Sequence, residues 1–244
     1  MSGGDLPVLV CLPHAGGAAA AFRTWPAALD GIARVVALEP PGRGTRRGDP
    51  LPRTMDDLAG DLLAQLDEAL DGEDEYVLLG HSLGSLAARA IASAREPRLL
   101  IAAGRNGPTR ASETAPVAHL PDEQLLDAVT HLGGVPEIVR EEPDLLPLFA
   151  QPLRADLHIA ETWLRPPDMP PLTCPVAALQ GTHDPVVSRS GAGAWALETT
   201  NRTTVAWLDG DHFFLHRPGV ARRAVGSLLA QSCTPTSSSD GAVR

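Results

Sequence analysis

Short apolar runs alternate along the chain with longer amphipathic segments, and this alternation predicts strands separated by helices. Residues 8–10 and 77–79 are apolar at every position, as expected of parallel strands covered on both faces. The predicted strands are Pro7–Leu12, Arg34–Leu38, Tyr76–Leu79, Leu99–Ala103, Val176–Gln180 and Thr203–Leu208. The predicted helices are Ala18–Leu29, Met55–Leu70, Leu83–Ala94, Gly191–Leu197 and Val220–Leu229. The pattern therefore predicts an α/β fold, with a mostly parallel central sheet flanked by helices.

A long segment at about residues 113–171 interrupts this alternation, because it contains no good strand. It carries three helical pieces instead, namely Asp122–Leu132, Pro136–Arg140 and Asp144–Leu164. A strandless insertion of this length is often functional, and we therefore predict that it forms a helical lid. The alternative is that these helices only cover the sheet. We therefore predict a single domain over residues 1–231 with an inserted lid. Residues 232–244 are rich in Ser, Thr, Pro and Gly, which predicts a disordered tail.

Composition narrows the possible functions. The net charge of −10 argues against a nucleic-acid surface, which needs concentrated positive charge. No apolar stretch approaches the roughly 20 residues of a membrane span, so no membrane association is expected. The three cysteines, Cys11, Cys174 and Cys233, are odd in number and widely spaced, unlike a disulfide framework. We therefore expect a cytoplasmic protein in a reducing compartment.

The sharpest motif is GHSLG at residues 80–84, a G-x-S-x-G pattern. It follows the predicted strand Tyr76–Leu79 and precedes the predicted helix Leu83–Ala94, which is the strand–turn–helix setting of a nucleophile elbow. A serine in such a turn projects its hydroxyl, and the helix N-terminus presents free N–H groups to developing negative charge. Ser82 is therefore the candidate nucleophile of an α/β-hydrolase fold.

A serine hydroxyl needs a general base, and the base needs an acid that orients it. His212 follows the last predicted strand, on a loop where the base belongs, and His216 is its rival. Asp184 follows the fifth predicted strand and is the predicted acid, although it could instead cap the next helix. Asp209 and Asp211 are alternative acids, but their closeness to His212 in sequence makes its Nδ1 awkward to reach. Ser82, Asp184 and His212 are thus the predicted triad.

An oxyanion hole needs two N–H donors directed at the oxygen that becomes charged. The backbone N–H of Leu83, directly after the nucleophile, is one candidate. The loop HAGG at residues 14–17 follows the first predicted strand, and Ala15 is the candidate for the second donor. Its glycines permit the positive φ angles that turn amides inward. No spacing typical of metal ligands is present, so we expect no metal.

Together these pieces resemble the type II thioesterases that accompany polyketide synthases and non-ribosomal peptide synthetases. The resemblance runs from about residue 7 to 230. It rests on LPHAGG at 12–17, PGR at 41–43, GHSLG at 80–84, LRAD at 153–156, GTHDP at 181–185 and GDHFFL at 210–215. Two positions depart from the family pattern: Gly44, where relatives commonly carry Glu, and His183, where they often carry an acid. Neither is a triad residue, so the departures concern substrate preference.

The resemblance implies hydrolysis of acyl thioesters from the phosphopantetheine arm of acyl or peptidyl carrier proteins, with no cofactor. The lid would supply an apolar acyl chamber. The candidates for substrate binding are His14, Leu125, Leu126, Val129, Leu132, Leu148 and Phe149. Carrier proteins are usually acidic, so an arginine patch at Arg43, Arg46 and Arg47 is the candidate docking surface, and solvated loop charges are the alternative. We expect a monomer.

Two other functions remain open from the sequence. A carboxylesterase or lipase would act on small oxoesters with the same triad. A non-catalytic protein of the same fold would bind an acyl ligand or a partner, but it would have no need of Ser, Asp and His in this arrangement.

Overall fold

The computed structural model describes residues 6–110, 112–135, 139 and 141–232. Six strands form one sheet, and they are β1 (Val8–Leu12), β2 (Arg34–Ala37), β3 (Tyr76–His81), β4 (Leu99–Ala103), β5 (Val176–Gly181) and β6 (Thr203–Leu208). Their order is β2-β1-β3-β4-β5-β6, and each of the five neighbouring pairs is parallel. The predicted α/β fold with a mostly parallel sheet is confirmed. Each strand lies within two residues of its predicted bounds.

Helices connect the strands. They are α1 (Trp25–Ala28), α2 (Met55–Leu70), α3 (Leu83–Ala94), α4 (Asp122–Thr130), α5 (Leu146–Thr162), α6 (Arg189–Gly193) and α7 (Gly226–Ser232). Short 3₁₀ turns lie at Ala19–Phe22, Gly44–Arg46, Pro143–Leu145, Ala194–Leu197 and Phe214–His216, and a π-helical turn lies at Ala221–Val225. Within the described residues, no helix is both long enough and apolar enough to cross a bilayer.

The sheet is buried on both faces because its central strands are apolar at nearly every position. Along β1, Val8, Val10 and Leu12 enter the core beneath α2 and α3, whereas Leu9 and Cys11 enter the core on the opposite face. This follows from the period of two along a strand. The two edge strands, β2 and β6, are partly exposed. Cys11 and Cys174 are buried and free, and Cys233 lies outside the described residues.

The two longest predicted helices outside the lid, α2 and α3, have the predicted bounds. In α2, large apolar residues recur every three or four positions on the face that is buried in the core, as at Leu58, Leu62 and Leu66. Its start is fixed by a capping box, in which Thr54 Oγ accepts from Asp57 N at 3.1 Å and Asp57 Oδ2 accepts from Thr54 N at 3.0 Å.

The helix predicted over Ala18–Leu29 was wrong, because the structure divides it into the 3₁₀ turn Ala19–Phe22 and the single turn of α1. Pro26 lacks an N–H, so it can occupy the first turn of α1 but cannot continue a helix that began earlier. The break allows both Phe22 and Trp25 to be buried, with their rings edge to face at 5.0 Å.

The segment between β4 and β5 is helical over much of its described length. Helix α4 packs on α5, and α5 also contacts α3. Their facing apolar side chains form a third small core that is separate from the two sheet cores. The helical piece predicted at 136–140 lies outside the described residues except at position 139, and so does the predicted tail except at position 232.

Candidate active site

Ser82 sits at a sharp turn between β3 and α3. Its φ of 54° and ψ of −115° lie in a region that residues other than glycine rarely adopt. The turn is possible because two backbones approach closely there: a Cβ at Gly80 would overlap the Gly84 carbonyl, and a Cβ at Gly84 would overlap the Leu12 carbonyl. Ser85 secures the same turn, since its Oγ donates to the Gly80 carbonyl at 2.8 Å. Ser82 is thereby held at the end of β3, where it borders a cavity.

Asp184 and His212 lie on the loops that follow β5 and β6. Asp184 Oδ2 is 2.8 Å from Nδ1 of His212, and its Oδ1 accepts from the N–H of Val186 at 2.9 Å. Both side chains are almost fully buried, which keeps water from competing for the contact. His212 lines the same cavity as Ser82. The described residues show a hydrogen bond from His212 to Asp184 but none between Ser82 Oγ and Nε2 of His212. In substrate-free enzymes this catalytic hydrogen bond is often long, and it tightens when substrate binds.

The structure separates the predicted residues from their alternatives. Asp184 does not cap a helix, because Ser188 accepts from Gly191 N at 2.9 Å and fills that role for α6. Asp209 is exposed and pairs with Arg217. Asp211 is exposed as well, and its carboxylate accepts from the N–H of Phe213.

His216, the rival base, contacts a different histidine. Its Nε2 lies 3.3 Å from Nδ1 of His81, and it does not line the cavity that holds Ser82. His81 itself holds the His212 loop in place, since its Nε2 is 2.9 Å from the backbone carbonyl of His212. Complete burial lowers the pKa of His81 well below its usual value, with a smaller contribution from the neighbouring His212.

The loop after β1 carries Ala15 and is anchored by a residue of α5. Gly16 N donates to Oδ2 of Asp156, a residue of α5, at 2.7 Å. Arg43 binds the same carboxylate through both terminal nitrogens, with Nη2 at 2.9 Å from Oδ1, and this ion pair is buried. Gly16 adopts a φ of 72°, which glycine tolerates. The PGR and LRAD motifs thus meet at the loop that would supply an oxyanion donor.

A second contact fixes the same loop further along. Glu39 Oε1 accepts from Ala19 N at 2.9 Å, and the rest of its carboxylate occupies the space beside Gly44. Gly44 has a φ of 51°, and a Cβ built on it would overlap Oε2 of Glu39. The absence of a side chain at Gly44 therefore leaves room for the acid that holds Ala19.

Ser82 and His212 border a cavity of about 50 Å³, roofed by the helical segment between β4 and β5. Ala15 and His14 form part of its wall, and Leu83 begins α3 directly beside it. Of the predicted chamber residues in the lid, the structure places three in the wall, namely Val129, Leu132 and Phe149.

The other three predicted chamber residues lie elsewhere, which corrects their assignment. Leu125 and Leu126 are buried in the core between α4 and α5. Leu148 is 55% exposed and lines an outer groove. Leu153 and Leu157, which were not among the predicted chamber residues, line the cavity together with Phe149. Their spacing of four residues on one helical face is a signal that would have found them.

The predicted arginine patch is also wrong. Arg43 is buried against Asp156. Arg46 is held by Asp49 and Asp61, and the hydrogen bond with Asp61 raises its pKa further. Both arginines are used within the fold because each has a carboxylate close enough for a paired contact. Of the three, only Arg47 is exposed.

Known proteins resemble this chain in both sequence and structure. A family model described as a thioesterase domain matches residues 7–227. Thioesterase PikA5 of Streptomyces venezuelae is 33% identical over 214 residues, which cover 85% of this chain and 75% of that protein. The gramicidin S biosynthesis protein GrsT of Aneurinibacillus migulanus is 31% identical over 214 residues, covering 85% and 82%. The crystal structure of ClbQ from the colibactin NRPS/PKS pathway matches with a TM-score of 0.84 at 30% identity, covering 93% of this chain and 97% of that one.

Proposed function

The chain belongs to the thioesterase family, as the sequence motifs predicted, and from this we propose that it hydrolyses acyl groups from the phosphopantetheine thiol of acyl or peptidyl carrier proteins. The pathway would be polyketide or non-ribosomal peptide biosynthesis, as for its relatives, where the enzyme edits or releases acyl chains. The observation that supports this best is the pairing of His212 with Asp184 beside Ser82, at the carboxyl ends of parallel strands.

In the proposed mechanism, Ser82 Oγ attacks the thioester carbonyl while His212 removes its proton. Asp184 holds Nδ1 of His212 and stabilises the imidazolium that forms. The tetrahedral intermediate then collapses: the carbon–sulfur bond breaks, and His212 returns the proton to the departing thiol. A water molecule, activated by His212, then attacks the acyl-enzyme, and the acid leaves as Ser82 regains its proton. The reaction needs no metal or organic cofactor.

The backbone N–H groups of Ala15 and Leu83 are the proposed oxyanion donors. Leu83 is the first residue of α3, where N–H groups have no acceptor within the helix. Ala15 also borders the cavity, on the loop that Asp156 anchors through Gly16. Each such donor typically contributes about 10²–10³-fold to kcat.

We propose that the helical segment between β4 and β5 acts as a lid. The cavity over Ser82, at about 50 Å³, offers little more room than one or two water molecules occupy, roughly 30 Å³ each in the liquid. An acyl chain of several carbons therefore requires that α4 and α5 move apart or away from the sheet. Val129, Leu132 and Phe149 would then line the chamber.

One comparison separates the thioesterase from a carboxylesterase or lipase. The same acyl group is presented on a carrier protein, on a short thiol and on a simple alcohol, and kcat/KM is measured for each. We expect kcat/KM to be at least about tenfold higher for the carrier-bound thioester than for the short thioester. The reason is that contacts with the carrier protein, although remote from the reacting carbonyl, stabilise the transition state. Equal or faster cleavage of the oxoester would instead identify an esterase.

Arg23 and Arg47 are the revised candidates for contact with the carrier arm. Both are exposed and line a groove of about 610 Å³ beside the loop after β1. His14 and Phe149 border both this groove and the cavity over Ser82, so the two spaces adjoin. The groove therefore offers a route for the pantetheine arm, whose phosphate is anionic and would lie near the arginines.

Replacing Arg23 and Arg47 together with alanine is expected to raise KM for carrier-bound substrate about fivefold to tenfold, with kcat unchanged. The same variant should cleave a short acyl thioester normally, because that substrate carries no phosphate. The matched control is the pair Arg98→Ala and Arg202→Ala. These residues precede the amino ends of β4 and β6, whereas the groove lies at the carboxyl ends of the strands. An unchanged KM and unchanged salt dependence in the Arg23/Arg47 variant would exclude this route.

We also propose a cytoplasmic monomer that acts on carrier proteins and binds neither nucleic acid nor membranes. The net charge of −10 supports the lack of nucleic-acid and membrane binding, because an acidic protein is repelled by phosphate-rich surfaces.

A further inference from the structure

Three histidines that take no part in the proposed reaction converge behind the triad. His14 lies after β1, His81 ends β3, and His216 lies on the loop after β6. One ring nitrogen of each lies within 4.8 Å of the corresponding nitrogens of the other two. The sequence showed no metal-ligand spacing because these positions are far apart along the chain, and only the closeness of the three loops brings them together.

The hydrogen bonds around His81 determine which of its nitrogens is protonated. Its Nε2 lies 2.9 Å from the backbone carbonyl of His212, and a carbonyl oxygen only accepts, so Nε2 carries the proton. In the neutral ring, Nδ1 is then an unprotonated acceptor. Nε2 of His216 faces this lone pair at 3.3 Å.

The 3.3 Å contact is a hydrogen bond when Nε2 of His216 carries the proton. In the other neutral tautomer of His216 the proton lies on Nδ1, and Nε2 then presents a lone pair beside that of His81 Nδ1, as two ligands of one ion do. His14 adds a buried Nδ1 that has no hydrogen-bond partner among the described residues.

We propose that His14, His81 and His216 bind a divalent transition-metal ion of the zinc class, which ties the loops after β1, β3 and β6 together. In a tetrahedral zinc site, metal–nitrogen bonds of about 2.0–2.1 Å put ligand nitrogens about 3.3–3.4 Å apart. The nitrogens of the His81–His216 pair already have this separation, at 3.3 Å. A set of imidazoles favours zinc, cobalt, nickel or copper over magnesium and calcium, which prefer oxygen.

The surroundings of the cluster are those of a metal site. The bond from His81 to the His212 carbonyl orients the ring, as such contacts usually do for metal ligands. His14 also borders the outer groove, which gives an ion access from solvent. The site would be structural, since its ligands flank Ala15, Ser82 and His212 without replacing any of them.

The test titrates the metal-free protein with Co²⁺, whose visible absorption reports four-coordinate geometry, and with Zn²⁺, which should displace it. We expect one ion per chain and a rise in Tm with Zn²⁺, because an ion that binds the folded state stabilises it. His216→Gln should weaken metal binding at least about 100-fold, which is more than the loss of a residue that only hydrogen-bonds to a metal ligand causes. His119→Gln, at an exposed histidine outside the cluster, should bind as tightly as the wild type.

The folded state of each variant is checked by circular dichroism, and His14→Gln replaces His216→Gln if the latter does not fold. The proposal would be overturned if the wild type bound only several ions weakly, as surface histidines do. It would also be overturned by binding that survives the loss of His216 or His14. The readout does not depend on thioesterase activity, so it stands apart from the proposed reaction.

Discussion

Replacing Ser82 with alanine is expected to lower kcat for acyl-carrier hydrolysis by about 10⁴–10⁶-fold, as loss of the nucleophile does in other serine hydrolases. The reason is that no other nucleophilic hydroxyl or thiol borders the cavity next to His212 within the described residues. The residual rate would come from the oxyanion donors and from binding alone. Single-turnover release of a labelled acyl group from a carrier protein measures the effect directly.

The matched control is Ser190→Ala on α6, which removes an exposed hydroxyl and should leave kcat unchanged. The acyl-enzyme should form only in proteins that retain Ser82, and mass spectrometry can detect it. A kcat reduced less than about tenfold would remove Ser82 from the mechanism. If the wild type released nothing from any carrier or ester and Ser82→Ala bound acyl ligands normally, a non-catalytic binding protein would be the better interpretation.

Replacing Asp156 with alanine is expected to lower the free energy of unfolding by about 3–5 kcal/mol, measured by urea denaturation. The carboxylate is buried with the Arg43 guanidinium, and removing it leaves that charge without a partner. The kcat of the folded fraction should also fall about 10-fold to 100-fold, because a catalytic group that is no longer held in place loses its productive geometry. Gly16 loses the acceptor of its N–H in this variant, so the Ala15 loop is released.

A double variant separates these two roles of Asp156. Arg43→Met with Asp156→Leu removes both charges and should recover most of the stability, since buried ion pairs are often no better than apolar residues of similar size. The loss in kcat should persist, because leucine offers Gly16 no acceptor. Recovery of both stability and kcat would show that Asp156 does not position the loop.

The fold was predictable because each central strand is a short, largely apolar run, and because α2 and α3 have clear helical periodicity. The triad candidates were predictable for a related reason: Ser82, Asp184 and His212 each follow a strand, and parallel strands end at one edge of the sheet. A residue that follows a strand directly in the sequence is therefore also expected to lie close in space to residues that follow the other strands.

Long-range polar contacts were not predictable in this way. Arg43 and Asp156 are 113 residues apart, and nothing in the local pattern of either indicates a buried ion pair rather than a surface charge. In the helical segment between β4 and β5, the predicted chamber included Leu148 because it is apolar, yet the helix turns that position toward solvent. Which side of a helix faces the core depends on the element it packs against, and that element lies elsewhere in the chain.

Gly44 and Glu39 couple the effects of substitutions in this loop. A side chain introduced at position 44 would displace the Glu39 carboxylate from Ala19 N and would have to adopt a φ of 51°. Shortening Glu39 removes the same hydrogen bond. We therefore expect the two substitutions to be non-additive, because once either has broken the bond to Ala19 the other cannot break it again.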